Sequence, residues 1–97
     1  MFAIRRVQGE SMQPHLSDGD FLIVLTWFQS ISLGDIVVAH HNTYGDLVKR
    51  VASIEGDGKY IFLASDNIVG LNSTQMGRLT KKDILGKVIY TVKAPEL

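Results

Sequence analysis

Ser11 and Lys49 are the two residues of this 97-residue chain whose side chains could form a nucleophile and its base. Ser11 stands in the segment GESMQPHLSDGD, residues 9–20, where Gly9 permits a sharp bend and Pro14 stiffens the turn that follows. A serine in such a turn can present its hydroxyl for chemistry, and its own backbone amide can stabilise an oxyanion. On these residues alone, a serine that only shapes a turn is the more common case.

Lys49 lies in the segment DLVKRVASI, residues 46–54, whose composition predicts a β-strand. A period of two places Leu47, Lys49 and Val51 on one face of this strand and Arg50 on the other. Since both faces are otherwise apolar, we expect at least one of the two cations to lie against the core. Burial lowers the pKa of a lysine, and a neutral lysine can serve as general base for a serine hydroxyl. The alternative is that both long side chains extend into solvent.

Six short segments rich in β-branched and aromatic residues predict the strands that must position this pair. They read FAIRRV, FLIVLTWF, DIVVAHH, DLVKRVASI, KYIFLA and ILGKVIYTVK, and clusters of Gly, Asp, Asn and Ser separate them. We therefore expect a mainly β fold in a single domain over residues 1–97. One helical turn is predicted at residues 81–85 with Thr80 as its N-cap, and residues 66–77 are expected to form a long loop.

Composition and charge argue against several classes of protein. Ten basic and ten acidic side chains give a formal net charge of zero, so no overall field favours binding to nucleic acid or to an anionic membrane. The absence of cysteine excludes disulfides and thiolate catalysis. No apolar run approaches about 18 residues and no signal peptide is recognised, so a cytoplasmic protein without a membrane span is expected. No phosphate-binding glycine pattern occurs, and no cofactor is predicted.

Three histidines allow competing arrangements. His40 and His41 are consecutive in a predicted strand, so they face opposite sides and do not readily bind one metal ion together. His15 with one of them would supply two ligands, fewer than a usual zinc site has, and no metal site is predicted. A Ser-His-Asp triad that uses His15 stays open, because triads are defined by geometry rather than by spacing.

In order and spacing, the segments GESMQPHLSDGD, GDIVVAHH, DLVKRVASI, SDN and GKVIYTV resemble the peptidase domain shared by LexA-type repressors, UmuD-type proteins and type I signal peptidases. The resemblance covers residues 7–92 and implies a compact β-barrel-type fold of short strands. It implies that Ser11 is the nucleophile and Lys49 the general base of a peptidase acting on a protein or peptide. It also implies an oxyanion hole made by the backbone amides of Ser11 and Glu10, with Ser73 orienting Lys49.

The sequence departs from the patterns of this family in places. Gly9 is similar to LexA-type and UmuD-type proteins, whereas many signal peptidases carry a hydroxyl residue there that contributes to the oxyanion hole. LexA-type repressors have a scissile Ala-Gly or Cys-Gly bond before the serine, and the ten residues before Ser11 contain neither dipeptide. Self-cleavage of that kind is therefore not expected. Neither a DNA-binding domain nor a membrane anchor is recognised.

Three functions follow from the resemblance. The first is a serine endopeptidase that carries out limited proteolysis of a protein substrate. The second is a non-catalytic interaction module that dimerises or docks, as processed UmuD-type proteins do with a DNA polymerase. The third is the C-terminal domain of a LexA-like repressor. Exposed strand edges and the habit of the family also predict a homodimer.

Overall fold

Six antiparallel strands form one sheet. The computed structural model describes residues 1–28 and 30–95. The strands are β1 (Phe2–Arg6), β2 (Phe21–Leu25), β3 (Ile36–His41), β4 (Gly45–Glu55), β5 (Tyr60–Ala64) and β6 (Ile84–Val92). Their order across the sheet is β1-β2-β6-β3-β4-β5. The expected mainly β fold is confirmed, since each of the six predicted segments overlaps one of these strands.

A four-residue helix, α1 (Ser73–Met76), interrupts the segment between β5 and β6. The Asn72 side chain accepts a hydrogen bond from the Gln75 backbone N–H, and the Gln75 side chain accepts one from the Asn72 N–H. These reciprocal bonds form a capping box, which starts a helix. The expectation that residues 66–77 form only a loop is therefore wrong.

A single 3₁₀ turn at Lys81–Asp83 leads into β6. Its N-cap is Thr80, whose backbone N–H donates to the Asp83 carboxylate at 2.9 Å. The helical turn predicted after Thr80 is thus confirmed, although it ends at Asp83 because β6 begins at the next residue. Among the described residues, no helix is long and apolar enough to cross a membrane.

Two clusters of buried apolar side chains form the core. The first contains Val37, Ala39, Val51, Ile61, Leu63, Met76, Leu79 and Ile84. The second contains Val7, Met12, Leu16, Leu22, Val24 and Val38. Met12 and Leu16 belong to the loop between β1 and β2, and burying each of them stabilises the fold by about 1.5–3 kcal/mol. The loop that carries Ser11 is therefore held to the core by its own side chains.

A groove separates β1 from β4, although three strands lie between them in the sheet order. At its rim, the Arg5 guanidinium of β1 donates to the Asp46 carboxylate of β4 at 3.0 Å. The pairing of β5 with β4 begins only at Arg50. Within the described residues, the outer edge of β1 and the first half of one edge of β4 thus have no partner strand. Both unpaired segments border the groove.

Candidate active site

Ser11 and Lys49 are in direct contact. Lys49 Nζ donates a hydrogen bond of 2.7 Å to Ser11 Oγ. Lys49 is 4% exposed, and its cross-strand neighbour on β3 is the fully buried Val37. The expectation that a cation of this strand lies against the core is therefore confirmed. Desolvation lowers the pKa of Lys49 below its ordinary value, which favours the neutral amine. In that form the same contact lets the Ser11 O–H donate to the amine.

Arg50, the residue after Lys49, is fixed by a paired carboxylate. Its Nε and Nη2 atoms donate to the two oxygens of Asp66 at 2.8 and 2.7 Å, and its Nη1 donates to the Gly34 carbonyl at 2.8 Å. The hydrogen bonds from Arg50 lower the pKa of Asp66. Bidentate pairs of this kind are strong and directional, so they hold β4 in place beside the candidate base.

The loop that presents Ser11 is closed at its base. The Val7 N–H donates a hydrogen bond to the Asp20 carbonyl at 2.8 Å, and the Gly9 N–H donates one to the Asp18 carboxylate at 2.8 Å. Gly9 has a φ of 83°, a left-handed conformation that glycine adopts without steric cost. The chain therefore leaves β1 through a sharp turn two residues before Ser11.

Asp20 ties this loop to the end of the last strand. Its carboxylate is almost completely buried and accepts hydrogen bonds from Ser17 N at 2.9 Å and Ala94 N at 2.8 Å. Lys93 Nζ also reaches it at 3.1 Å. The Ala94 and Ser17 amides are the main cause of a lowered Asp20 pKa. An ionised Asp20 thus fixes both the exit of the loop and the segment that follows β6.

The segment after β5 packs against the backbone of Ser11. Asn67 N donates to Ser11 O at 2.8 Å. A Cβ atom added at Gly70 would lie 2.6 Å from Ser11 Cβ and 2.4 Å from Ser65 Oγ, so only glycine fits there without displacing its neighbours. Ser65 Oγ in turn donates to the Leu71 carbonyl at 2.7 Å. Ser11 is therefore held from two sides, by its own loop and by this segment.

Free backbone donors lie beside the hydroxyl. A turn follows Ser11, in which Gln13 N donates to Glu10 O at 3.1 Å and Leu16 N donates to Met12 O at 2.9 Å. The first N–H groups of such a turn have no internal acceptor. In the described part of the chain, the N–H groups of Glu10 and Ser11 indeed donate to no other residue. Their use as an oxyanion hole stays a prediction, for which the donors are present.

Ser73 does not join the Ser11–Lys49 pair. It is the first residue of α1. Within residues 1–28 and 30–95, the Lys49 ammonium donates to Ser11 and to no second side chain. The orienting role predicted for Ser73 stays a prediction without a supporting contact.

The histidines have other partners. His15 Nδ1 lies 2.8 Å from Asp66 Oδ2, and among the described residues its ring makes no hydrogen bond to Ser11, so no Ser-His-Asp triad is assembled. His40 Nδ1 contacts Asp46 Oδ1 at 2.8 Å, and His41 Nε2 donates to a backbone carbonyl in α1. No three His, Asp or Glu side chains within the described ranges are grouped to hold a metal ion.

The supporting roles of Asp66, Asn67 and Gly70 could not be derived from the sequence. Asp66 and Asn67 stand in the SDN segment, which contributed to the resemblance but carries no spacing that identifies its partners. Those partners, Arg50 and Ser11, lie 16 and 56 residues away along the chain. The one signal was a long polar segment after a strand, which indicates a functional loop without naming its contacts.

Comparisons with known proteins identify the relatives of this chain. A model of the Peptidase S24-like family matches residues 2–89, a segment that contains both Ser11 and Lys49. Signal peptidase I from two strains of Streptococcus pneumoniae is 47% identical to the chain over 53 residues. This matched segment is 54% of the chain but 26% of each relative, so the chain spans about a quarter of the length of those proteins. Because the family model covers most of the sequence, the chain belongs to the Peptidase S24-like family.

Proposed function

We propose that this protein is a serine peptidase that cleaves a protein substrate with a Ser11–Lys49 dyad. The observation that carries this proposal is the 2.7 Å contact between a loop serine and a buried lysine whose pKa is lowered by desolvation. Serine–lysine pairs are an established way to activate a hydroxyl nucleophile. Membership of a peptidase family and partial identity to signal peptidase I support the same reaction class.

In the proposed mechanism, the neutral amine of Lys49 accepts the proton of Ser11 as Oγ attacks the carbonyl carbon of the scissile bond. The N–H groups of Glu10 and Ser11 stabilise the oxyanion of the tetrahedral intermediate. Collapse of this intermediate breaks the C–N bond, and the Lys49 ammonium gives its proton to the leaving amine. The neutral lysine then deprotonates a water molecule, which hydrolyses the ester on Ser11.

The groove between β1 and β4 suits an extended peptide. Its volume is about 240 Å³, and its lining includes Ser11, Lys49, Arg5 and Asp46. Unpaired backbone groups of two strands border it, and an extended peptide binds such edges by adding a strand. Main-chain hydrogen bonds would then position the scissile carbonyl beside Ser11.

Mass spectrometry of new protein N-termini in a cell lysate tests this function. Wild-type protein is expected to generate new N-termini, and Ser11→Ala or Lys49→Ala is expected to reduce their rate of appearance at least about 10³-fold. Ser17→Ala is a matched control, because Ser17 stands in the same loop and only its backbone contacts Asp20. Cleavage that persists in Ser11→Ala, or its absence in wild type, would refute the peptidase proposal.

A homodimer is a second candidate function, favoured by the outer face of the sheet. Ile4 pairs with Ile23, which pairs with Tyr90, and Phe2 continues this apolar row on β1. Phe2, Ile4 and Tyr90 are 64, 72 and 64% exposed. A contiguous exposed apolar patch indicates an interaction surface, and the unpaired edge of β1 adjoins it. Sedimentation should show a wild-type dimer that Ile4→Lys converts to monomer, whereas a monomeric wild type at high concentration would rule out this role.

A further inference from the structure

We propose that Arg5 forms a specificity subsite that binds an acidic side chain of the peptide, about three residues from the scissile bond. This inference rests on the proposed function, since it assumes a peptide in the groove between β1 and β4. It adds a preference that neither the dyad nor the backbone edges can supply. The position of Arg5, its free donors and the charges beside it support this subsite.

The position of Arg5 follows from its partner on β4. Asp46 precedes Lys49 by three residues on β4. Because a strand rises about 3.3 Å per residue, the Cα atoms of these two residues lie about 10 Å apart along the strand. A peptide added along this edge advances by the same rise. The peptide residue that lies beside the Arg5–Asp46 pair is therefore about three positions from the residue whose scissile carbonyl lies at Ser11.

Arg5 has unused hydrogen-bonding capacity. A guanidinium carries five N–H donors, and Arg5 uses one of them, from Nη1 to Asp46 Oδ2 at 3.0 Å. The other four donate to no residue in the described part of the chain. The side chain is 43% exposed, so a carboxylate in the groove can approach it. The planar guanidinium matches a carboxylate in the bidentate geometry that Arg50 and Asp66 already show.

Asp46 does not depend on Arg5 alone. Its other oxygen contacts His40 Nδ1 at 2.8 Å, and the hydrogen bonds from His40 and then Arg5 lower the pKa of Asp46. A substrate carboxylate can thus engage Arg5 while Asp46 keeps a partner. A basic substrate side chain would instead compete with both Arg5 and His40 for one carboxylate.

The charges that line the groove favour the same choice. Arg5 and Lys49 supply the basic groups of the groove, and Asp46 is its only acidic residue among the described residues. The Arg6 guanidinium lies elsewhere, 5.2 Å from the centroid of the Phe21 ring and 3.4 Å from the Gly19 carbonyl oxygen. Because desolvation favours neutral Lys49 and Asp46 also contacts His40, Arg5 is the groove cation that has donors left to attract a carboxylate.

Binding to the Ser11→Ala variant, followed by fluorescence anisotropy, tests the subsite without requiring cleavage. The probes are labelled alanine-based octapeptides that carry Asp, Asn or Lys three residues to either side of the central bond. The Asp peptide is expected to bind about two- to fivefold more tightly than the Asn peptide on one of the two sides, with no gain for Lys. Raising the salt concentration should reduce this preference.

Two substitutions of arginine locate the effect. Arg5→Ala or Arg5→Gln, made on the Ser11→Ala background, should abolish the preference for Asp. Arg78→Ala removes the same charge from a site beside the Tyr60 ring, outside the groove, and should leave the preference intact. Equal binding of the Asp and Asn peptides, a preference that survives loss of Arg5, or no binding of any peptide would each overturn the subsite.

The proposed peptidase function fails on a different result. If wild-type protein cleaves peptides through Ser11 but shows no Asp preference, the subsite is wrong and the peptidase function stands. If the Arg5-dependent preference is found in binding while wild type cleaves no peptide, the subsite stands and the peptidase function is wrong. The two inferences are therefore tested separately.

Discussion

Replacing Lys49 with methionine is expected to stabilise the protein at neutral pH and to abolish cleavage. The lysine is 4% exposed, and its one hydrogen bond among the described residues goes to Ser11. Removing an ammonium from water costs several kcal/mol, whereas the lost hydrogen bond is worth about 1 kcal/mol. Methionine has a similar length and no charge, so we expect a net gain of about 1–3 kcal/mol at pH 7. In a domain of this size, each kcal/mol corresponds to about 4–8 °C in Tm.

The stability that Lys49→Met gains over wild type should be smaller at high pH. The pKa of Lys49 is lowered in the folded state from 10.5, so between the two pKa values the folded chain binds fewer protons than the unfolded chain. Wild-type stability therefore rises with pH in that window. The cost of burying Lys49 is complete below the folded-state pKa and disappears above about 10.5. Urea unfolding of both proteins at pH 7 and pH 10 measures the difference.

Lys82→Met is the matched control, because Lys82 is exposed in the 3₁₀ turn before β6. It should change the free energy of unfolding by no more than about 0.5 kcal/mol at either pH. If Lys49→Met is less stable than wild type at pH 7, the hydrogen bond to Ser11 outweighs desolvation and the reasoning fails. A gain of equal size at pH 7 and pH 10 would refute the lowered pKa.

Three further substitutions test the residues that hold Ser11 and Lys49 in place. Gly70→Ala is expected to cost about 1–3 kcal/mol in urea unfolding and to slow cleavage, because its Cβ would collide with Ser11; wild-type stability and activity would contradict this. Asp20→Asn should cost about 1–3 kcal/mol at pH 7. The pKa of Asp20 is lowered from 3.8, so the stability that ionised Asp20 gives the wild type is lost as pH falls through the folded-state pKa. The difference in free energy of unfolding between wild type and Asp20→Asn should therefore be smaller at pH 3 than at pH 7, and an equal difference at both pH values would contradict this. Arg50→Lys should lower Tm through loss of about 1–2 kcal/mol, since lysine cannot pair with both oxygens of Asp66; an unchanged Tm would count against that role.

Much of the fold was predictable because the strands are short, β-rich and separated by turn residues. Each predicted segment overlaps one strand, and the bounds differ by a few residues. The helix α1 was not predictable, because four residues are too few to show a helical period. The order of strands in the sheet was likewise beyond reach, since β6 inserts between β2 and β3 through contacts that no local pattern records.

The contact between Ser11 and Lys49 was predictable for a different reason. The strand period placed Lys49 on an apolar face, and the resemblance of both segments to one family joined it to Ser11. The residues that hold Ser11 and Lys49 in place were not predictable from local patterns. Asp20, Asp66 and Gly70 act on segments distant in sequence, and their types alone also suit ordinary turns.

The positions of a buried lysine and of an exposed apolar row support the proposed catalysis and the proposed docking at separate places on the molecule. A lysine in the core destabilises a domain, and an interaction module would gain nothing from it because Lys49 offers little surface to a partner. The same buried lysine would benefit a peptidase, since desolvation favours the neutral amine that the proposed attack by Ser11 requires. Among the described residues, the exposed apolar row of Phe2, Ile4 and Tyr90 does not line the groove that contains Ser11 and Lys49. It would instead serve the proposed dimer, because a second copy of the chain could cover it. Ser11→Ala should therefore abolish cleavage without changing the oligomeric state, and Ile4→Lys should change the oligomeric state while Ser11 and Lys49 stay in contact.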